Sequence, residues 1–146
     1  MKKILFTAIV LSSFFVGCKK KEDKPATAQT RTQLLTANNW TLTAIVISTP
    51  GEPDDNIFAI IEDCFKDNFI KYNTNFTVVT DEGATKCDPN FPQSATNIWS
   101  FGPNESSIIF AGVSQKIETL NATQLKVSEI LVDDKIYTYT TTYSKK

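Results

Sequence analysis

Short runs rich in Thr, Val, Ile and aromatic residues alternate with turn residues through most of the chain. Runs of this kind are typical of half-buried β-strands that are joined by turns. The last run places Tyr137, Tyr139 and Tyr143 on one face and mainly threonines on the other. The pattern predicts strands over 40–49, 68–72, 76–80, 98–101, 107–111, 113–120, 124–132 and 135–143.

The segments between these runs predict mostly turns and loops. Residues 50–55 and 73–75 have turn composition, and residues 81–93 predict a long loop. Residues 32–36 predict a short helical turn, whereas the pattern over 57–65 fits either a strand or a helical turn. About eight short strands joined in sequence favour consecutive antiparallel pairing. We therefore predict an all-β fold, an up-and-down barrel whose closure removes exposed strand edges.

The N-terminus has the pattern of an export signal. Two lysines precede an apolar run, Ile4 to Val16, which ends at Gly17-Cys18. The run is too short to cross a bilayer, which takes about 20 helical residues. With a cysteine at the cleavage point, it resembles a bacterial lipoprotein signal, which implies that residues 1–17 are removed and that Cys18 carries the lipid.

The resemblance to a lipoprotein signal also divides the chain. Residues 19–30 contain no aromatic or large aliphatic side chain, so we predict a flexible tether over 18–30 and one domain over 31–146. The protein is then exported and anchored in a membrane, facing the periplasm or exposed at the cell surface. Its membrane partner is reached through the lipid on Cys18.

Charge and composition exclude several classes of function. Without the two lysines of the signal, the chain has 13 basic and 16 acidic residues, net −3; without residues 19–24 as well, it has 9 and 14, net −5. Such a domain is a poor match for the phosphate backbone of nucleic acid. The chain contains no histidine, which removes every mechanism based on imidazole. We predict that the protein is not an enzyme and that it needs no cofactor.

The three cysteines separate into two groups. If Cys18 carries lipid, Cys64 and Cys87 remain as an even pair in an oxidising compartment, which predicts a disulfide. The alternative is a redox-active thiol, but the chain offers neither a CxxC motif nor a histidine to activate one.

Two stretches carry a resemblance to a known family. They are Cys64-Phe65-Lys66-Asp67-Asn68 and the string over 81–89, DEGATKCDP, and Trp99-Ser100-Phe101 follows them. Together they resemble the lipocalin-like domain of small lipoproteins from Bacteroidota. The resemblance implies an eight-stranded barrel with a cysteine pair. Better-known lipocalins carry small apolar ligands inside the barrel.

Two functions follow as hypotheses. The first is a barrel that binds a small apolar ligand, with Trp40, Phe76, Trp99 and Phe110 as candidate lining residues and Trp40 as a plug at the closed end. The second is a barrel filled by its own side chains, which serves as a structural module or binds another envelope protein.

The acidic residues of the loops raise two further alternatives. If the cysteines pair, Asp63, Asp67, Asp81 and Asp88 come close enough together to suggest a calcium site, although no DxDxDG loop exists. A glycosidase needs two carboxylates facing each other across a cleft. The acid pairs here are adjacent in apparent turns, where neighbouring side chains point apart.

Overall fold

The computed structural model describes residues 28–146. The predicted signal over 1–17, Cys18 and the predicted tether up to residue 27 lie outside the described residues. The helices are α1 (Arg31–Thr36) and α2 (Asp63–Lys66), and 3-10 turns cover Ile57–Ala59 and Pro103–Glu105. The strands are β1 (Asn39–Ser48), β2 (Asp55–Asn56), β3 (Phe69–Tyr72), β4 (Thr77–Asp81), β5 (Ser94–Phe101), β6 (Ser107–Phe110), β7 (Val113–Leu120), β8 (Gln124–Val132) and β9 (Ile136–Lys145).

The strands form a closed barrel. From β3 to β9 each strand pairs antiparallel with the next, and β1 pairs with both β3 and β9, which closes an eight-stranded barrel. The seam between β1 and β9 is long, since its pairs run from Trp40 opposite Lys145 to Ser48 opposite Thr138. The predicted all-β, up-and-down barrel is confirmed. Within residues 28–146, no helix has the length and apolar character needed to span a membrane.

Helix α1 covers one end of the barrel, called here the closed end. Thr30 and Gln33 form a capping box that starts the helix. The indole Nε1 of Trp40 donates a hydrogen bond of 2.8 Å to the carbonyl oxygen of Leu35, and both side chains are fully buried. These two residues belong to one hydrophobic core, whose other buried members lie on the inner wall of the barrel: Tyr72, Val78, Trp99, Ile108, Leu125 and Val127.

The opposite end, called here the mouth, carries the long connections. These are the β1–β3 connection over 49–68 and the β4–β5 loop over 82–93. The barrel wall is lower on one side of the mouth, because strand β6 ends at Phe110, whose partner on β5 is Trp99. Residues 94–98 of β5 therefore pair with β4 alone. This gap explains why Asn97 is exposed although it shares the inner face with Trp99.

Several boundaries differ from the sequence prediction. Phe76 lies in a turn before β4, because its φ of 63° is left-handed and cannot continue a strand. β5 begins at Ser94, four residues before the predicted start at Ile98, since Ser94 to Asn97 lack the large apolar side chains that mark a strand. The ambiguous segment over 57–65 is helical, with a 3-10 turn and the beginning of α2.

Candidate functional site

A disulfide joins the two connections at the mouth. Cys64 on α2 and Cys87 in the β4–β5 loop are bonded at 2.03 Å, with their Cα atoms 5.2 Å apart. The predicted pairing is confirmed. The bond holds α2 against the loop on one side of the barrel opening.

The carboxylate of Asp67 is a second link between these two connections. It accepts hydrogen bonds from the backbone N–H of Ala84 at 2.7 Å, from the N–H of Thr85 at 3.0 Å and from the Thr85 hydroxyl at 2.9 Å. Desolvation alone raises the pKa of Asp67, but these hydrogen bonds to the Thr85 side chain and the two amides outweigh it and hold the pKa below its ordinary value.

Gly83 makes this close approach possible. Its φ is +70°, and a Cβ built on it lies 2.5 Å from the carbonyl oxygen of Asp67. Any side chain at this position therefore meets both a strained backbone and a steric clash. The Asp-Glu-Gly-Ala-Thr part of the string that carried the family resemblance thus has a structural role, which is to dock the loop on the turn after α2.

The four loop aspartates do not converge on one point. Asp63 pairs with Lys66 at 2.7 Å, and Asp67 binds the loop amides. Asp81 accepts from the Gly83 amide at 2.9 Å, and Asp88 accepts from the amide of the residue two positions later. Among residues 28–146, the single group of three metal-type side chains within reach of one ion is Glu62, Cys64 and Cys87, whose sulfurs are already bonded to each other. The prediction that these four aspartates come together, on which the calcium hypothesis depends, is therefore wrong.

A cavity of about 210 Å³ lies at the mouth, between the inner wall and α2. Four of its nine lining residues are apolar: Leu42, Phe65, Phe69 and Ile70. Thr80 and Tyr143 contribute hydroxyl groups, and Asn68, Asp81 and Glu82 complete the lining. For comparison, an apolar cavity of about 150 Å³ is sufficient to hold benzene. The space here therefore fits a single ring or a short branched chain.

Tyr143 gives this cavity a polar element, whereas Tyr72 lies on the same inner wall but does not line the cavity. Tyr143 is level with Leu42 on β1 and Leu125 on β8, so that its ring lies inside the barrel. Burial, together with the negative charge of Glu129, raises its pKa to about 12. Burial also raises the pKa of Tyr72, which is 2% exposed. Neither hydroxyl makes a hydrogen bond to another residue within the described part of the chain.

Glu129 is an acidic residue on the inner face of β8. It follows Leu125 and Val127 at intervals of two along β8, and both of those side chains are buried inside the barrel. Its partner across the ladder is Tyr139. Among the described residues, Glu129 forms no salt bridge.

The four aromatic residues singled out from the sequence lie elsewhere. Trp40 is at the closed end, and Trp99 donates from Nε1 to the carbonyl oxygen of Asn73 at 3.1 Å while lying opposite Phe110 on the inner face. Phe76 is 55% exposed in the β3–β4 turn, with its ring 5.4 Å from that of Trp99. None of the four borders the mouth cavity.

Sequence reasoning missed the residues that line the cavity. Leu42 and Tyr143 had a usable signal, because they share strand faces with Trp40 and with the other tyrosines of the last strand. Phe65 and Glu82 had none, because their positions depend on how two loops dock on each other.

Apolar surface is also exposed outside the barrel. The β8–β9 hairpin carries Ile130, Val132 and Ile136 on its outer face, and Val132 is 75% exposed. Ile98 on the partly unpaired strand β5 is 79% exposed. Contiguous patches of this kind mark interaction surfaces when they are large enough.

Comparison with known proteins adds no relative. Neither the models of protein families nor the curated proteins include one that matches this chain. The architecture of eight sequential antiparallel strands closed into a barrel is the one that lipocalins have, and the structure is compatible with the lipocalin-like resemblance at that level.

Proposed function

We propose that this protein is a membrane-anchored, lipocalin-like lipoprotein that holds a small apolar molecule in the cavity at the mouth of its barrel. The cavity is the observation that carries the proposal. Its wall combines four apolar side chains with a few hydroxyl and carboxylate groups, which is the usual make-up of a small-molecule site.

The two ends of the barrel support this function by their contrast. At the closed end, Trp40 and Leu35 fill the interior beneath α1. At the mouth, the inner-face positions Leu42 and Ile70 remain only partly buried and border the cavity. A ligand that enters at the mouth therefore meets apolar surface that residues 28–146 leave partly uncovered.

The segment that carries the proposed anchor joins the domain at the other end of the barrel. Residues 18–30 lead into α1, which lies at the closed end. A flexible tether of this length spans about 20 Å on average. The mouth is thus remote from the point where the tether joins the domain, and a ligand reaches it from the aqueous side. Binding without chemical conversion agrees with a chain that contains no histidine.

A cavity-filling variant tests the proposal. Toluene, titrated into the protein and followed by methyl chemical shifts, is expected to perturb Leu42 and Ile70. Thr80→Phe places a ring in the cavity and is expected to abolish these shifts. Val79→Phe is the matched control, because Val79 is the next residue on the same strand but faces outward. Toluene that leaves the shifts of Leu42 and Ile70 unchanged in the wild type contradicts the proposal.

The exposed hairpin supports a second candidate, a module that binds another envelope protein. Ile130, Val132 and Ile136 form an apolar outer face that the described part of the chain leaves uncovered. A photo-crosslinking residue at Val132, used in the native envelope, is expected to capture one defined protein in that case. The same residue at Lys71, an exposed position on the outer face of β3, is the control.

A further inference from the structure

We propose that the mouth cavity selects ligands by charge and takes small apolar amines in preference to carboxylic acids. This inference rests on the proposed function and specifies the ligand for the same cavity. The geometry behind it is a cavity lined by apolar residues, by two acidic residues and by two hydroxyl groups that make no hydrogen bond within residues 28–146.

Two acidic residues border the cavity, and a third lies on the inner face of the barrel. Asp81 and Glu82 line the cavity, and no lysine or arginine of the described chain does. Glu129 lies on the inner face close enough for its charge to act on Tyr143. The whole of residues 28–146 carries nine basic and fourteen acidic residues, which leaves a net charge of −5. A carboxylate ligand is repelled by these acidic groups and by the net negative charge, whereas an ammonium group is attracted.

The basic groups near the mouth are already engaged. Lys66 pairs with Asp63 at 2.7 Å, and Lys86 donates to the carbonyl oxygen of Pro89 at 3.0 Å. Lys146 lies with its ammonium 4.7 Å from the centre of the Phe69 ring. Because Phe69 alternates with the inward-facing Ile70, this cation lies on the outer face of the barrel and not inside the cavity. It adds one positive charge against three carboxylates.

Hydroxyl groups supply the remaining recognition. Tyr143 and Thr80 line the cavity, and neither hydroxyl is hydrogen-bonded to another described residue. A hydroxyl oxygen accepts a hydrogen bond from an ammonium N–H, while the apolar part of the ligand covers Leu42 and Ile70. An amine therefore satisfies the acceptors and the charge of the site at once.

Four probes of similar size test the inference on the mature protein: toluene, benzyl alcohol, benzylamine and phenylacetate. We expect benzylamine to bind at least about tenfold more tightly than phenylacetate at low salt, with the difference shrinking as salt is added. Equal or tighter binding of phenylacetate overturns the inference. If toluene binds without any preference for the amine, only this inference is wrong; if none of the four binds, the proposed function is wrong.

Two substitutions distinguish the effect of a charge beside the cavity from the effect of the net charge of the protein. Glu82→Gln is expected to lower the affinity for benzylamine about threefold or more and to leave toluene unaffected, because the Glu82 carboxylate forms no salt bridge within residues 28–146. Glu105→Gln, in the turn between β5 and β6 at the closed end, removes the same charge far from the cavity and is the matched control. Equal effects of the two substitutions contradict selection at the cavity.

A third substitution addresses the hydroxyl. Tyr143→Phe is expected to weaken benzyl alcohol and benzylamine while toluene binds as before, since only the polar ligands use the hydroxyl. An unchanged affinity for both polar probes contradicts the role given to Tyr143.

Discussion

Removal of the disulfide is expected to destabilise the barrel through its unfolded state. Cys64→Ala combined with Cys87→Ala opens a loop whose ends are 23 residues apart and which contains β3 and β4. In the chain-entropy model, a cross-link that closes a loop of this length contributes roughly 3 kcal/mol to the free energy of unfolding. We expect the double variant to lose about that amount.

We expect the structure of the folded state to change little when the disulfide is removed. The carboxylate of Asp67 still holds the amides of Ala84 and Thr85, so the loop stays docked on the turn after α2 without the covalent bond. The loss therefore comes from the freedom that the unfolded chain gains. A more expanded unfolded state exposes more surface, so the denaturant dependence of the free energy, the m-value, is expected to rise.

Urea denaturation followed by tryptophan fluorescence measures both quantities. With an m-value of about 1.5–2 kcal/mol/M, a loss of about 3 kcal/mol lowers the midpoint by roughly 1.5–2 M. Reductant is expected to shift the wild type by a similar amount and to leave the double variant where it is. A wild type whose midpoint is unchanged by complete reduction refutes the reasoning.

Three further outcomes are expected. Gly51 has a φ of +82° with open space around it, and Gly51→Ala is expected to lower the free energy of unfolding by about 1–2 kcal/mol. Gly83→Ala is expected to lower it by clearly more, because a clash with Asp67 is added. Equal losses of the two variants in thermal denaturation count against the docking role of Gly83. Because the pKa of Asp67 is lowered in the folded protein, its carboxylate holds the loop fully above the ordinary carboxyl pKa and releases it as the pH falls through the lowered value. Hydrogen exchange of the Ala84 amide, corrected for its intrinsic pH dependence, is therefore expected to accelerate only in that acid range. Cys18→Ser is expected to move the protein from the detergent phase to the aqueous phase in phase partitioning; continued partitioning into detergent contradicts the lipid anchor.

Much of the barrel was predictable from local chemistry. Turn residues separate the runs of β-forming residues, and consecutive pairing of those runs leads directly to the observed strand order. The pair Cys64 and Cys87 followed from counting cysteines in a chain predicted to be exported. The exceptions were backbone effects, such as the left-handed Phe76, where a strand-forming side chain lies in a turn.

The cavity was less predictable, because the strongest sequence signal pointed away from it. Large aromatic side chains are the obvious candidates for a barrel interior, but Trp40 and Trp99 fill its closed half, where buried ring surface contributes most to stability. The cavity arises where β3 is short and two loops meet. Its residues come from positions as distant as Leu42, Phe65 and Tyr143, and no local pattern relates them.

The acidic residues at the mouth divide by what they contact, and this division connects stability to function. Asp67 is held by three hydrogen bonds and fixes the loop, and Asp81 accepts from the Gly83 amide next to it. Glu82 and Glu129 have no partner of opposite charge among the described residues. A carboxylate without such a partner contributes little to folding but keeps its field for an incoming ligand. The loop that Asp67 docks carries Glu82 at its start, so the contacts that stabilise the mouth also fix where a ligand meets its negative charge.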